Sequence, residues 1–223
     1  MHEADTAFIR SMLPFWSRLT EAQAALLLAH TRPVTFAPGE TVHSATQDCV
    51  GVLLIKTGEL RTYMLSDEGK EITLFRLTEG EPCVLSASCR ITSITFDILI
   101  DAERPTEAYL IDAAVYAKLQ EENVYVENFT LRVTAERFSE VMWAMEQILF
   151  MSFDRRLAIF LLDETAKTGA DNVTMTHEQI ARYVGSAREV VSRMLKYFAK
   201  EGFVAVHRGG VEILDKQKLR SLL

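Results

Sequence analysis

The sequence predicts an α+β protein in three parts: an antiparallel β-roll with N-terminal helices over residues 1–120, a long helix and hinge over 121–152, and a winged helix-turn-helix over 153–223. Three observations carry this. From Val34 to Ile111, hydrophobicity alternates at period two between Gly-containing turns. A seven-residue apolar repeat follows through Val124, Asn128, Leu131, Ala135, Phe138, Met142, Met145 and Leu149. The last third holds two short amphipathic helices about Gly185, then two short strands about Arg208-Gly209-Gly210.

Each element has a local reason. Thr6–Leu13 is amphipathic and stops at Pro14. Thr20 caps a second helix that runs to His30 and is closed by Arg32-Pro33. Val34–Phe36, Val50–Ile55, Leu60–Met64, Glu71–Leu77, Asp97–Ile100 and Glu107–Ile111 read as strands, and their short, even spacing predicts a small antiparallel barrel or roll. Asp112–Leu119 is a short helix. The heptad seam over Val124–Leu149 is that of a two-stranded coiled coil, so a homodimer is expected through this helix. Val141, Ile148 and Phe150 widen the stripe and are expected to pack on the roll. Asp154 is expected to cap a helix from Arg155 to Lys167 that ends at Gly169. Thr176 is the N-cap of the next helix, and Ser186-x-x-Glu189 reads as a capping box for the last. That final helix turns Val190, Val191, Met194, Leu195 and Phe198 inward, leaving Arg188, Glu189, Ser192 and Arg193 outward.

Charge is unevenly spread. The chain carries a net −7, but residues 153–223 hold 12 Lys+Arg against 9 Asp+Glu, so the acidic excess belongs to the front. Local charge governs phosphate contact, and the overall acidity is no obstacle to nucleic acid. The first residues lack a basic start followed by an apolar core, and no apolar run approaches a membrane span, so a cytoplasmic protein without membrane contact is expected. Cys49, Cys83 and Cys89 are odd in number and lack C-x-x-C spacing, which fits a reducing compartment. His177-Glu178-Gln179-Ile180-Ala181 lacks the second histidine of a zinc protease, and no phosphate-binding or nucleophile-elbow motif is present. No metal site and no enzyme activity are expected.

The block Ala181-x-x-Val184-Gly185-x-x-Arg188-Glu189-x-Val191-x-Arg193-x-Leu195 resembles the recognition unit of the bacterial CRP/FNR transcription factors. Phe36-x-Pro38-Gly39, Gly58-Glu59-Leu60, Gly69-x-Glu71 and Gly80-Glu81 follow the order of that family's cyclic-nucleotide-binding β-roll, so the resemblance covers nearly the whole chain. It implies a dimeric, sequence-specific DNA-binding regulator, with RNA polymerase as a further partner. An effector or redox signal in the roll would be coupled to a palindromic operator with TGTGA-like half-sites. Base reading falls on Arg188, Glu189, Ser192 and Arg193, with Thr176 and the wing residue Arg208 completing the DNA-contacting set. The chemistry suits double-stranded DNA: Arg forks onto guanine O6 and N7, and Glu accepts from cytosine N4. The contrasting class is a regulatory module that does not bind DNA, whose last helix would carry apolar anchors in place of these groups.

The effector region departs from the cyclic-AMP members, which carry an Arg-Ser pair for the phosphate and a Thr-Ser pair on the long helix. Here Phe96-Asp97 and Val141-Met142 stand in those places. Cyclic AMP is therefore disfavoured, and an apolar, redox-active or gaseous effector is expected. The candidate effector residues are Gly80, Glu81, Cys83, Ser86, Ser88, Cys89, Val141, Met142 and Met145. An N-terminal iron–sulfur cluster is excluded because the first 48 residues contain no cysteine. Cys83 and Cys89 read either as buried small hydrophobes or as a thiol switch. Haem stays open as a cofactor, with His43 and Met142 or Met145 as ligands, although a lone His in a strand region is usually structural.

Overall fold

An unbroken apolar strand needs cover on both of its faces. The structure, a computed structural model, describes residues 3–44, 51–86 and 98–223, and it provides that cover. Helices α1 (Glu3–Met12) and α2 (Glu21–Ala29) lead into strands β1 (Thr31–Phe36), β2 (Thr41–His43), β3 (Val52–Thr57), β4 (Glu59–Leu65), β5 (Glu71–Thr78), β6 (Pro82–Cys83), β7 (Leu99–Ala102) and β8 (Thr106–Ile111). The strands form two four-stranded sheets, ordered β1-β8-β3-β6 and β2-β7-β4-β5. Val52, Leu53, Leu54 and Ile55 of β3 are all fully buried. Val52 and Leu54 face a helical layer, with Ile9, Leu13 and Leu27 ahead of the roll and Tyr116, Leu119, Val126 and Val133 behind it.

Helix α2 begins with a complete capping box. The Thr20 hydroxyl accepts from the Gln23 N–H, and the Thr20 N–H donates to the Gln23 side chain. Helix α3 (Ala113–Glu122) is capped by Asp112, whose carboxylate accepts from the Ala114 and Val115 N–H groups.

Helix α4 (Val124–Phe150) follows as one continuous rod. Its buried positions are Val126, Thr130, Val133 and Arg137, spaced four, three and four apart. They form the face that packs on the roll, where Thr130 Oγ1 lies 2.8 Å from the Tyr116 hydroxyl. All eight heptad residues are exposed, with Phe138 at 65%. The expectation that Val141, Ile148 and Phe150 supply the roll-packing face is overturned. Phe150 is 81% exposed, and Ile148 packs beside Gly185. The faces separate because Val126, Thr130 and Val133 already fill the stripe facing the roll.

Residues Met1–Met64 and Leu74–Val141 form one compact unit; Leu65–Thr73 and Met142–Leu223 form the other. The second contains α5 (Phe153–Thr168), β9 (Asn172–Val173), α6 (His177–Val184), α7 (Arg188–Lys200), β10 (Val204–His207), β11 (Gly210–Ile213) and α8 (Lys216–Arg220). Its core gathers Leu157, Leu161, Val173, Ile180, Val184, Val191, Leu195, Phe198, Val204 and Val211. Strands β10 and β11 pair antiparallel, with β9 on the far edge. Val190 and Met194 are only half-buried.

Two capping expectations fail. The N-cap of α7 is Ala187, with no side-chain bond, so the Ser186–Glu189 box does not form. Gly185 takes the left-handed conformation (φ 61°), and the Ser186 N–H donates back to the Ala181 carbonyl. Ser186 thus closes α6 rather than opening α7. Ser152, not Asp154, is the N-cap of α5, and it too makes no side-chain bond. Asp154 lies one residue inside the helix start, where its carboxylate only meets the helix dipole.

Gly58 joins β3 to β4 at φ 99°, and a Cβ there would stand 2.4 Å from Thr106 Oγ1 and 2.5 Å from the Pro105 carbonyl oxygen. Gly58→Ala should therefore lower unfolding free energy by ~2 kcal/mol or more, as strain at a special φ adds to the steric clash. Urea denaturation checks this, with Gly69→Ala, whose Cβ meets nothing within 4 Å, as the milder comparison.

Candidate nucleic-acid interface and effector region

The outward face of α7 is built by what its inward face must do. Val191, Leu195 and Phe198 are fully buried, which turns Arg188, Glu189 and Arg193 to solvent, with Ser192 half-buried beside them. Glu189 lies in the first turn of α7, where the helix dipole favours a carboxylate. Helix α6 holds the preceding position through a capping box between Thr176 and Gln179. Thr176 itself is exposed.

His177, the first residue of α6, places Nδ1 2.7 Å from Ser192 Oγ. Burial, then the charges of Arg188 and Lys196, push its pKa below the ordinary histidine value. Arg208 is exposed in the turn between β10 and β11, and the β10 residue His207 pairs through Nε2 with Asn172 Oδ1 at 2.9 Å. The structure thus gathers Thr176, Arg188, Glu189, Ser192 and Arg193 on α6 and α7, with Arg208 on the wing. The Leu65–Thr73 hairpin lies against α6. Thr73 Oγ1 donates to the Arg182 carbonyl at 3.1 Å, and Arg182 Nε is 3.9 Å from Glu71 Oε2.

In the other unit, Gly80 and Glu81 follow β5. Glu81 accepts from Arg137 Nη2 at 3.0 Å, and Arg137 Nη1 lies 2.8 Å from both carboxylate oxygens of Glu140. The guanidinium is also 5.4 Å from the Phe75 ring centroid. Burial disfavours its charge, but the Glu140 and Glu81 carboxylates outweigh this and hold its pKa above the ordinary arginine value. Arg137 was not a sequence candidate. Its signal is an arginine continuing the Val126-Thr130-Val133 stripe, visible once the face on the roll is separated from the seam.

Cys83, on β6 beside β3, and Ser86 just after it are both buried. Ser86 Oγ lies 2.5 Å from the Gly51 carbonyl oxygen and 3.0 Å from that of Cys83. Burial pushes the Cys83 thiol up, with hydrogen bonds from Ser86 and the charge of Arg137 opposing it. His43 is buried on β2, its Nδ1 has no partner among the described residues, and burial lowers its pKa. Val141 is half-buried, while Met142 and Met145 are exposed along the seam. Ser88 and Cys89, with Cys49, Phe96 and Asp97, lie outside the described residues.

A Crp-like helix-turn-helix domain model matches residues 155–222. A crystal structure of a CRP/FNR-family transcriptional regulator from Eubacterium rectale is 44% identical, covering 95% of this chain and 98% of that one, with a TM-score of 0.91. The transcriptional activator anr of Pseudomonas aeruginosa is 25% identical over 77% of this chain and 72% of its own length. A CRP-like cAMP-activated global transcriptional regulator of Mycobacterium tuberculosis is 25% identical over 87% and 89% of the two chains.

Buried and protonated, Cys83 should resist modification. With an aromatic disulfide reagent at neutral pH, the folded protein should lose the Cys83 thiol at least ~100-fold more slowly than the urea-unfolded chain. Peptide mass mapping of the labelled cysteines reads this directly.

Proposed function

The chain belongs to the CRP/FNR family of DNA-binding transcription regulators, and from that premise we propose that it acts as a homodimer reading an inverted-repeat operator with TGTGA-like half-sites. The observation that carries this reading is the exposed start of α7, where Arg188, Glu189 and Arg193 are solvent-exposed on a helix whose opposite face is locked into the core. Such a helix enters the major groove with its first turns against the base edges. Ser192 adds a short polar contact, and Thr176 and Arg208 meet the backbone.

The seam on α4 supports the two-fold. Leu131, Phe138, Met142, Met145 and Leu149 are exposed apolar groups in heptad register, and a second copy of the chain would bury them. A parallel pair would present two recognition helices to the two half-sites. The effector we propose is not a cyclic nucleotide. Among the described residues, Arg137 brings a guanidinium to Glu81, and it is already committed to Glu81 and Glu140. A cyclic phosphate would have to break that pairing and leave the carboxylates uncompensated. An apolar, redox-active or gaseous signal fits this interior better.

Arg193→Ala should cost ~1–3 kcal/mol on the specific site and relax preference at one G·C pair. Fluorescence anisotropy against single-base variants measures it, and an equal loss on random DNA would reduce Arg193 to a phosphate contact. Met142→Glu with Met145→Glu places four like charges across the proposed two-fold seam, and sedimentation velocity should then show monomers. A persistent dimer would move the interface elsewhere.

A further inference from the structure

Resting on the reading of α7 as a base-reading helix, the geometry points to His177 as a positioning residue that sets whether Ser192 meets DNA as a hydrogen-bond acceptor or as a donor. His177 Nδ1 and Ser192 Oγ are 2.7 Å apart, and both residues are half-buried. One hydrogen occupies the line between them. With the neutral ring protonated at Nε2, the Ser192 hydroxyl donates to Nδ1, and its oxygen offers only lone pairs outward. When Nδ1 takes a proton from water, the N–H donates to Ser192 Oγ, and the hydroxyl hydrogen is released to point away from the ring. The same serine then offers a donor.

Base edges in the major groove distinguish these states. Adenine N6 and cytosine N4 donate, whereas guanine O6 and N7 and thymine O4 accept. The neutral pair with its ring hydrogen on Nε2 therefore favours an amino edge, and the protonated pair an acceptor edge.

The charged and titratable neighbours come from each packed element: Glu178 beside His177 on α6, Arg188 and Lys196 on α7, and His207 on β10. Together with Thr176 and Val206, all but Lys196 line an open cleft. In the free protein, burial and the two cations favour the neutral ring; we place its hydrogen on Nε2, which makes the serine an acceptor at neutral pH. Bound DNA brings phosphate charge to this cleft and works the other way, so binding takes up a proton as pH falls.

The test measures affinity of the full-length protein for inverted-repeat duplexes carrying every single-base change in the half-site, from about pH 8 to about pH 5. The position facing Ser192 is the one whose preference Ser192→Ala relaxes. At that position alone, the wild-type preference should move about three- to tenfold from amino toward acceptor edges as pH falls, the range of one hydrogen bond. His177→Gln should flatten the profile, and Ser192→Ala should abolish it with His177 intact. A pH effect equal on all sequences, or one that survives in Ser192→Ala, overturns the proposal and makes His177 a phosphate contact. A wild-type preference that does not move with pH also overturns it. No preference for any inverted repeat over random duplex at any pH overturns the DNA-reading assignment as well, which separates the two failures.

Discussion

One buried guanidinium sets which way the long helix faces. Arg137 is only 6% exposed and is held from two sides, by Glu81 after β5 and by Glu140 one turn along α4. Removing either carboxylate would leave the buried guanidinium poorly compensated, whereas Glu81 and Glu140 themselves keep partial contact with solvent. With Arg137, Val126, Thr130 and Val133 turned to the roll, helical geometry leaves Leu131, Phe138, Met142 and Met145 on another face. An apolar stripe that its own chain does not cover is the physical basis for the dimer proposed above.

The C-terminal unit obeys a similar rule at smaller scale. Val191, Leu195 and Phe198 are buried, and their spacing fixes the rotation of α7 about its axis. Capping adds the other constraint. The Thr176–Gln179 box starts α6, Gly185 ends it, and the Ser186 N–H completes the lock on Ala181. The turn between the two helices is therefore held by hydrogen bonds within the chain that need no partner from DNA, which is what a pre-organised reading head requires.

Much of this was legible in the residues, and the reasons differ by element. The heptad seam and the period-two strands are repeats, and repeats survive any uncertainty about neighbours. The outward set on α7 was legible because helical spacing alone separates Val191 and Leu195 from Arg188 and Arg193. Arg137 was not, because a charged residue in a helix reads as solvated until its partners arrive from Glu81, 56 positions away in sequence. The Ser186–Glu189 box misled for a local reason. The motif was present, but the preceding helix had the stronger claim on the Ser186 N–H. The roll-facing residues of α4 were misplaced because two apolar stripes overlap on one helix, and periodicity does not say which stripe meets which surface. The sequence shows His177 only within an incomplete metal motif, since its pairing with Ser192 depends on how α6 and α7 pack.

Oxidative cross-linking tests the division of faces on α4 most directly. Phe138→Cys, in a background with Cys49→Ser and Cys89→Ser, places a thiol on the seam, while Arg132→Cys places one on the solvent-facing side. Cysteines meet across a two-fold only where their Cα atoms approach within about 7 Å. The account predicts rapid, near-complete disulfide-linked dimer for Phe138→Cys and little for Arg132→Cys. Equal cross-linking of both, or none for Phe138→Cys, would contradict it.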